Sequence, residues 1–330
     1  MHITSTLRRA LLASAILLAG LSSASVQAQD TFPTRPVRII VGFAAGTGPD
    51  IVARLLAQKL SEGWGGQGVI VDNKPGAAGL IAASEAARAT PDGYTLLLSE
   101  IGMLSIAPST YRKLPYDPVK DFAPVSQIVG ADFALLVNPQ KVPVTNVSEF
   151  ISRLQQQKGL FMATFGAGTL GHFGAFKLGD VAQVKPEAVH YKTTADALGG
   201  LYNGDVDGVF ASVGLSAPQV KAGKLRALGT TGPARAAALP DVPTLKEQGY
   251  PSLEFSAWFG IVAPAQTPPA ILARLSTDVR KAVTAPEARA KLEEAGFRVT
   301  GTDAATFAKI IAADTVAWRK TVEATGFKAD

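Results

Sequence analysis

Short apolar runs, glycine-rich loops and stretches with an apolar residue every third or fourth position follow one another along this chain. Residues 37–43 (VRIIVGF) form the first run, the pattern of a strand buried on both faces of a parallel sheet. The loop Ala44-Ala45-Gly46-Thr47-Gly48 follows. Pro49 suits a first helical position, and Ile51, Leu55, Leu56 and Leu60 then recur at helical spacing. The spacing next predicts a strand over 68–72, the loop Asn73-Lys74-Pro75-Gly76, and a helix over about 78–89. A third strand, 94–99, runs into the loop Glu100-Ile101-Gly102.

The Pro-rich stretch 114–118 interrupts the periodicity. Beyond it, 125–129 and 133–137 read as two strands, and 160–165 as a third that enters the loop Gly166-Ala167-Gly168-Thr169-Leu170-Gly171 and a helix through Phe176. A short strand at 189–191 meets the loop Lys192-Thr193-Thr194, with a helix near 196–202 and strands at 206–211 and 225–230. The end is helical: one helix opens at Pro269, one covers about 287–295, and the last starts near Thr302 and stops at Gly326. Alternating strands and helices in two series predict an α/β fold of two lobes across a cleft. Each lobe is a mainly parallel sheet flanked by helices, and ligands bind at the carboxyl ends of such strands.

The N-terminus sets the compartment. Arg8 and Arg9 precede an apolar run over 10–21, and small residues at Val26 and Ala28 prepare a cleavage after Ala28. The run is too short to span a bilayer comfortably, so export is expected. The chain has no cysteine, which excludes disulfides and a lipid anchor on an N-terminal Cys. Removing residues 1–28 lowers the formal charge from +5 to +3 and leaves 302 residues, with no basic block of the kind that binds nucleic acid.

Catalytic patterns are scarce. The spacing Gly42-x3-Gly46-x-Gly48 matches the dinucleotide loop of short-chain dehydrogenases, and Tyr116 and Lys120 have the spacing of that family's catalytic pair. Pro118 lies between the two and would break the helix that aligns them. No Gly-x-Ser-x-Gly and no His-Glu-x-x-His occurs. Neither a catalytic residue, a metal nor a cofactor is expected. Of the histidines left after the signal, His190 reads as a packed core residue and His172 as a helix-start cap or a ligand contact.

Ordered segments now carry a resemblance over essentially the whole mature chain: FPTRPVRIIV (32–41), DIVAR (50–54), VDNKPGAAG (71–79), PDGYTL (91–96), LPYDP (114–118), DFAPV (121–125), LPDVPT (239–244) and WFGIVAP (258–264). The chain resembles the substrate-binding component of tripartite tricarboxylate transporters, the Bug family of periplasmic receptors. The resemblance implies a two-lobed, type II-like periplasmic binding protein that closes on a small organic carboxylate and passes it to membrane permease subunits. A sensor protein is the alternative partner. It implies lobe one over 29–130, lobe two over 131–250 and a return over 251–330, in a monomer hinged near 125–137 and 253–262.

By the same resemblance the ligand lies among Phe43, Ala44, Ala45, Gly46, Thr47, Gly48 and Asp50; Pro75, Gly76, Ala77 and Ala78; Ser99, Glu100 and Gly102; and Phe165, Gly166, Ala167, Gly168, Thr169, His172 and Lys192. Backbone N–H groups and hydroxyls in such loops can hold an anion without an arginine clamp. Three departures bear on the ligand. Ala44-Ala45-Gly46 replaces Pro-Gly-Gly, the His-Val-Pro-Tyr-Lys-Gly segment shortens to His190-Tyr191-Lys192-Thr193, and Glu100 stands at an ordinarily uncharged position. If Glu100 faces the cleft it disfavours a second ligand carboxylate, since like charges ~4 Å apart at an effective dielectric near 20 cost about 4 kcal/mol. If it points to solvent or pairs with a Lys or Arg, it does not.

Overall fold

The computed structural model describes residues 32–191 and 193–329. The export signal, its cleavage after Ala28, and Lys192 lie outside the described residues.

Strands β1 (Val37–Val41), β2 (Val69–Asn73) and β3 (Thr95–Glu100) run parallel in the order β2-β1-β3, with helices α1 (Gly48–Gly63) and α2 (Leu80–Ala87) as crossovers. Ile39, Ile40 and Val41 are wholly buried, which is why β1 has no polar face to alternate with. The helix expected over 78–89 is shorter, because left-handed residues occupy its intended start. No open loop follows β3. A π-helical turn (Gly102–Ile106) and the short α3 (Ala107–Thr110) continue from it almost directly.

Strand β4 (Phe122–Val137) is a single strand of 16 residues where the sequence suggests two. The weak strand formers Gly130, Ala131 and Asp132 stay extended because they pair with Trp258, Ala257 and Ser256 of β9 (Ser256–Pro264). β9 also pairs with β3 and so lies between β3 and β4. From Phe133 onward β4 changes partners, to β7 (Gly208–Ser212) and β8 (Arg226–Thr230). One strand therefore serves two sheets. At the change, buried Asp132 accepts the Ser256 hydroxyl at 2.5 Å and pairs with Arg298 of β10 (Arg298–Val299) at 3.2 Å.

The second sheet is completed by α4 (Val147–Gln157), β5 (Leu160–Thr164), α5 (Leu170–Ala182), β6 (Pro186–His190), α6 (Thr194–Asn203) and α7 (Val213–Lys221), with β6-β5-β7 parallel. Helices α8 (Pro269–Thr284) and α9 (Pro286–Glu294) pack back on the first sheet's side, α8 against α1 and β4. The last helix, α10 (Ala304–Thr325), touches both halves. Its Trp318 ring lies 5.9 Å from Phe173 of α5, and the Ile311 carbonyl accepts Ser105 Oγ beyond β3. Among the described residues no helix is long and apolar enough to cross a membrane.

Candidate functional site

The turn between β1 and α1 is built by hydrogen bonds. Gly46 (φ 80°) reverses the chain and donates its N–H to Asp50 Oδ2 at 2.8 Å, while Thr47 Oγ1 donates to the Ala44 carbonyl at 2.6 Å. Arg54 Nε reaches the same Asp50 oxygen at 2.9 Å, and Asn73 Nδ2 donates to Oδ1 at 2.9 Å and to the Phe43 carbonyl at 3.0 Å. Burial pushes the Asp50 carboxyl up, but the bonds from Arg54, Gly46 and Asn73 outweigh it and hold the group below the ordinary carboxylate range. Asp50 is 2% exposed with both oxygens engaged, so it braces the loop. Ala44, Ala45, Gly46 and Thr47 remain exposed.

Beyond β2, Gly76 (135°), Ala77 (47°), Ala78 (52°) and Gly79 (88°) all have positive φ. Left-handed backbone costs a residue with a Cβ about 1–2 kcal/mol, and strain of this kind gathers at functional sites. Pro75, Gly76, Ala77 and Ala78 are exposed, whereas Gly79 turns inward against Gly42. A Cβ on Gly42 would stand 2.7 Å from Gly79 Cα and 2.7 Å from Met103 Cε. The loops after β1, β2 and β3 converge there, and only glycine at 42 lets them.

Two residues expected near the ligand after β3 are engaged within the protein itself. Ser99 is fully buried and donates Oγ to the Gly260 carbonyl at 2.8 Å, tying β3 to β9. Glu100 is the last strand residue, opposite Phe259, and not part of a loop. It accepts the Gly102 N–H on Oε2 at 2.9 Å and also bonds the Met103 N–H, so Gly102 has no donor left for a ligand. Among the described residues no Lys or Arg pairs with it. Burial raises the Glu100 carboxyl to about 7 in spite of the two N–H bonds.

The loop before α5 repeats the first. Gly168 (φ 76°) donates its N–H to His172 Nδ1 at 3.0 Å, and Thr169 Oγ1 donates to the Gly166 carbonyl at 2.8 Å. The N-cap angles agree closely: φ −80°, ψ 165° at Thr47 and φ −81°, ψ 164° at Thr169. The acceptor four residues after the glycine is a carboxylate in one loop and an imidazole in the other, so the likeness does not show as a repeated motif. Burial, then the proximity of His190, lowers His172 to about 4, which keeps its Nδ1 free to accept. His172 is 5% exposed and braces its loop as Asp50 braces the first. Aromatic rings cover both turns. Phe297 stands where a Cβ on Gly48 would come within 3.1 Å of it, and Phe327 does so at 2.9 Å from Gly168.

Ala167 is exposed, and Phe165, Gly166 and Thr169 are half-buried. His190, expected in the core, is exposed at the end of the edge strand β6, its Nδ1 2.6 Å from Thr164 Oγ1. Its place at the carboxyl end of a strand, just before the loop at 192, was the available signal. The helices α1 and α5, of 16 and 13 residues, thus present like-built N-termini beside exposed loop backbone. Such ends attract anions through their dipoles and N–H groups. Among the described residues no cluster of His, Asp and Glu could hold a metal ion.

A family profile described as tripartite tricarboxylate transporter family receptor matches residues 52–327. Protein BugT of Bordetella pertussis (strain Tohama I) is 32% identical over 277 residues, covering 81% of this chain and 82% of BugT. A structure of an R. palustris protein with adipate is 33% identical, with a TM-score of 0.78, over 90% of this chain and 99% of that one. The structure of MatC from Rhodopseudomonas palustris with bound malate is 32% identical, with a TM-score of 0.73, over 88% and 100%.

Proposed function

This chain belongs to the tripartite tricarboxylate transporter receptor family, and we propose that it captures a small organic carboxylate between two closing lobes in the periplasm. The ligand then passes to the membrane permease subunits of such a transporter. The observation that carries this reading is the turn built twice, with Gly46 and Asp50 before α1 and Gly168 and His172 before α5. Each sheet brings a helix N-terminus and exposed backbone to its carboxyl edge, which suits an anion held from both sides. Adipate and malate in the two related structures support a carboxylate.

The contacts we assign to the ligand are the exposed backbone of 44–47 and 75–78, residues 165–167, His190 and Lys192. The lobes divide at β4, where its partners change between Asp132 and Phe133, and rejoin at β9. The mature chain begins at Gln29 and works as a monomer that binds and releases without catalysing a reaction.

Thermal-shift screening against mono-, di- and aromatic carboxylates tests the binding, because a ligand that binds only the native state raises the melting temperature. Small-angle scattering with a compound that scores tests the closure. A positive compound that leaves the radius of gyration unchanged would remove lobe closure from the account, and a panel without any stabilising compound would remove the carboxylate.

A further inference from the structure

Away from the strands that join them, the two lobes touch in two different ways. At one place the contacts are rings, with Trp318 of α10 5.9 Å from Phe173 of α5 and Phe327 over Gly168. At the other they are bare backbone. Gly214 is the second residue of α7 in the second lobe, and Gly296 (φ 85°) turns the chain from α9 towards β10 in the first. A Cβ on Gly214 would stand 2.5 Å from the Ala295 carbonyl oxygen, and one on Gly296 2.5 Å from both N and Cα of Gly214. Real Cβ atoms keep at least 3.0 Å from such neighbours, so no other residue fits at either position while the two segments lie together.

The contact stands beside the hinge. Gly296 comes two residues before Arg298, which pairs with Gly130 of β4, and Gly214 comes two residues after Ser212, which pairs with Phe133. Between those two pairings β4 passes from one sheet to the other. A cavity of about 190 Å³ borders the contact, with Val213 and Arg235 of the second lobe and Glu293, Phe297 and Arg298 of the first on its walls. Close-packed interiors pass a displacement on, whereas a void beside a hard contact leaves room for a turn about it. Both glycines also stand on the cleft side. α7 starts where β7 ends, and Phe297, next to Gly296, covers Gly48 at the start of α1.

We infer that Gly214 and Gly296 form the bearing on which the lobes turn, a contact kept in the open and the closed receptor alike, and that their bareness sets how far the cleft loops can approach one ligand. This rests on the reading of the chain as a receptor with two closing lobes and adds the point about which they close. Rings such as Trp318 and Phe173 can slide and repack as the lobes move. Backbone atoms fixed in a helix start and a tight turn cannot. A methyl added at the bearing props the two carboxyl edges apart, so the closed form becomes rarer and the apparent affinity falls by the fraction lost.

The test pairs Gly214→Ala with Gly199→Ala, a control on α6 where a Cβ meets nothing within 4 Å. Calorimetric titration of adipate and malate, the ligands of the two related structures, reads the affinity. The chain has no cysteine, so spin labels on Gln58→Cys of α1 and Gln156→Cys of α4, both exposed, read the distance between the lobes. G214A should bind about tenfold more weakly than the parent, and its labels should lie farther apart with and without ligand, while G199A matches the parent. Parent-like label distances in a folded G214A overturn the bearing. A second measurement needs no variant: a ligand that slows amide exchange at residues 44–47 and 166–169 should leave residues 213–215 and 295–297 unchanged. Slowing at the glycine pair would show a contact made only on closure, which also overturns the bearing. If neither probe binds the parent, the carboxylate reading fails, and the ligand-free label distances still decide the bearing.

Discussion

Asp50 and His172 hold equivalent places in the two sheets, each accepting the N–H of the glycine four residues before it, Gly46 at 2.8 Å and Gly168 at 3.0 Å. Removing the first brace takes the acceptor from the Gly46 N–H and the Arg54 Nε and leaves the Asn73 amide only the Phe43 carbonyl. Asp50→Ala should therefore lower stability by about 2–3 kcal/mol in urea unfolding. Asp50→Asn, which keeps one acceptor, should lose about half as much. A loss under about 0.5 kcal/mol for the alanine variant, no more than an ordinary surface change, would show that the loop does not depend on it.

His172 and Glu100 should give opposite pH signatures. His172 falls from 6.5 to about 4, so the unfolded chain takes up its proton first and stability declines as pH drops through that window. Glu100 rises from 4.5 to about 7, so its contribution is intact at low pH and is lost as pH rises through that window. Melting temperatures against pH should show E100Q holding more of its stability above neutrality than the parent. His172→Asn, with an oxygen able to accept the Gly168 N–H, should flatten the acid side. Parallel curves for the parent and both variants would contradict the assigned shifts.

Gly42→Ala places a methyl against the backbone of Gly79, which cannot move aside without breaking the left-handed turn at residues 76–79. The expected cost is about 1–3 kcal/mol with an unchanged denaturant m-value. The variant should also lose affinity for carboxylates by more than its stability alone predicts, since the three loops no longer meet. Parent-like binding in a folded G42A protein would mean that this convergence does not shape the site.

The C-terminal tail crosses from one sheet's surroundings to the other's. Phe327 lies over Gly168 with its ring 5.3 Å from that of His172, while the Ala329 N–H reaches the Thr110 carbonyl at 2.8 Å. Phe327→Ala should cost about 1–3 kcal/mol, less than a fully buried phenylalanine because the ring is half-exposed. It should also raise hydrogen exchange at residues 166–169 while leaving residues 44–47 as they were. Equal exchange at both loops would deny the tail its local role.

Much of the fold is legible in the sequence because short runs such as 37–41, rich in Val and Ile and closed by a glycine-bearing loop, fit a strand buried on both faces. The places where the reading slips share a cause: partners distant in sequence. β4 looks like two strands until β9, more than a hundred residues on, holds Gly130 and Ala131 extended. Ser99 looks like a loop hydroxyl until Gly260 supplies its acceptor. Glu100 reads as a cleft or solvent residue until the turn that follows it supplies the Gly102 N–H as its partner. The repeated turn was closer to hand, as Gly-Thr stands three and four residues ahead of the acceptor in both loops. A histidine in a short strand reads as a core residue by type, but β6 ends at His190 and leaves it exposed.

Strand β9 lies between β3 and β4, yet it is made only after the whole excursion from Phe133 to Phe255. As the chain emerges, β3 and β4 must therefore wait, each with an open edge, until residue 264 has arrived. The first lobe closes late although it begins first. Long-range pairing of this sort slows folding and leaves strand edges exposed in the meantime. A polypeptide that has to be threaded before it folds gains time from that delay, and one that stalls midway is left with edges that any neighbouring strand can occupy.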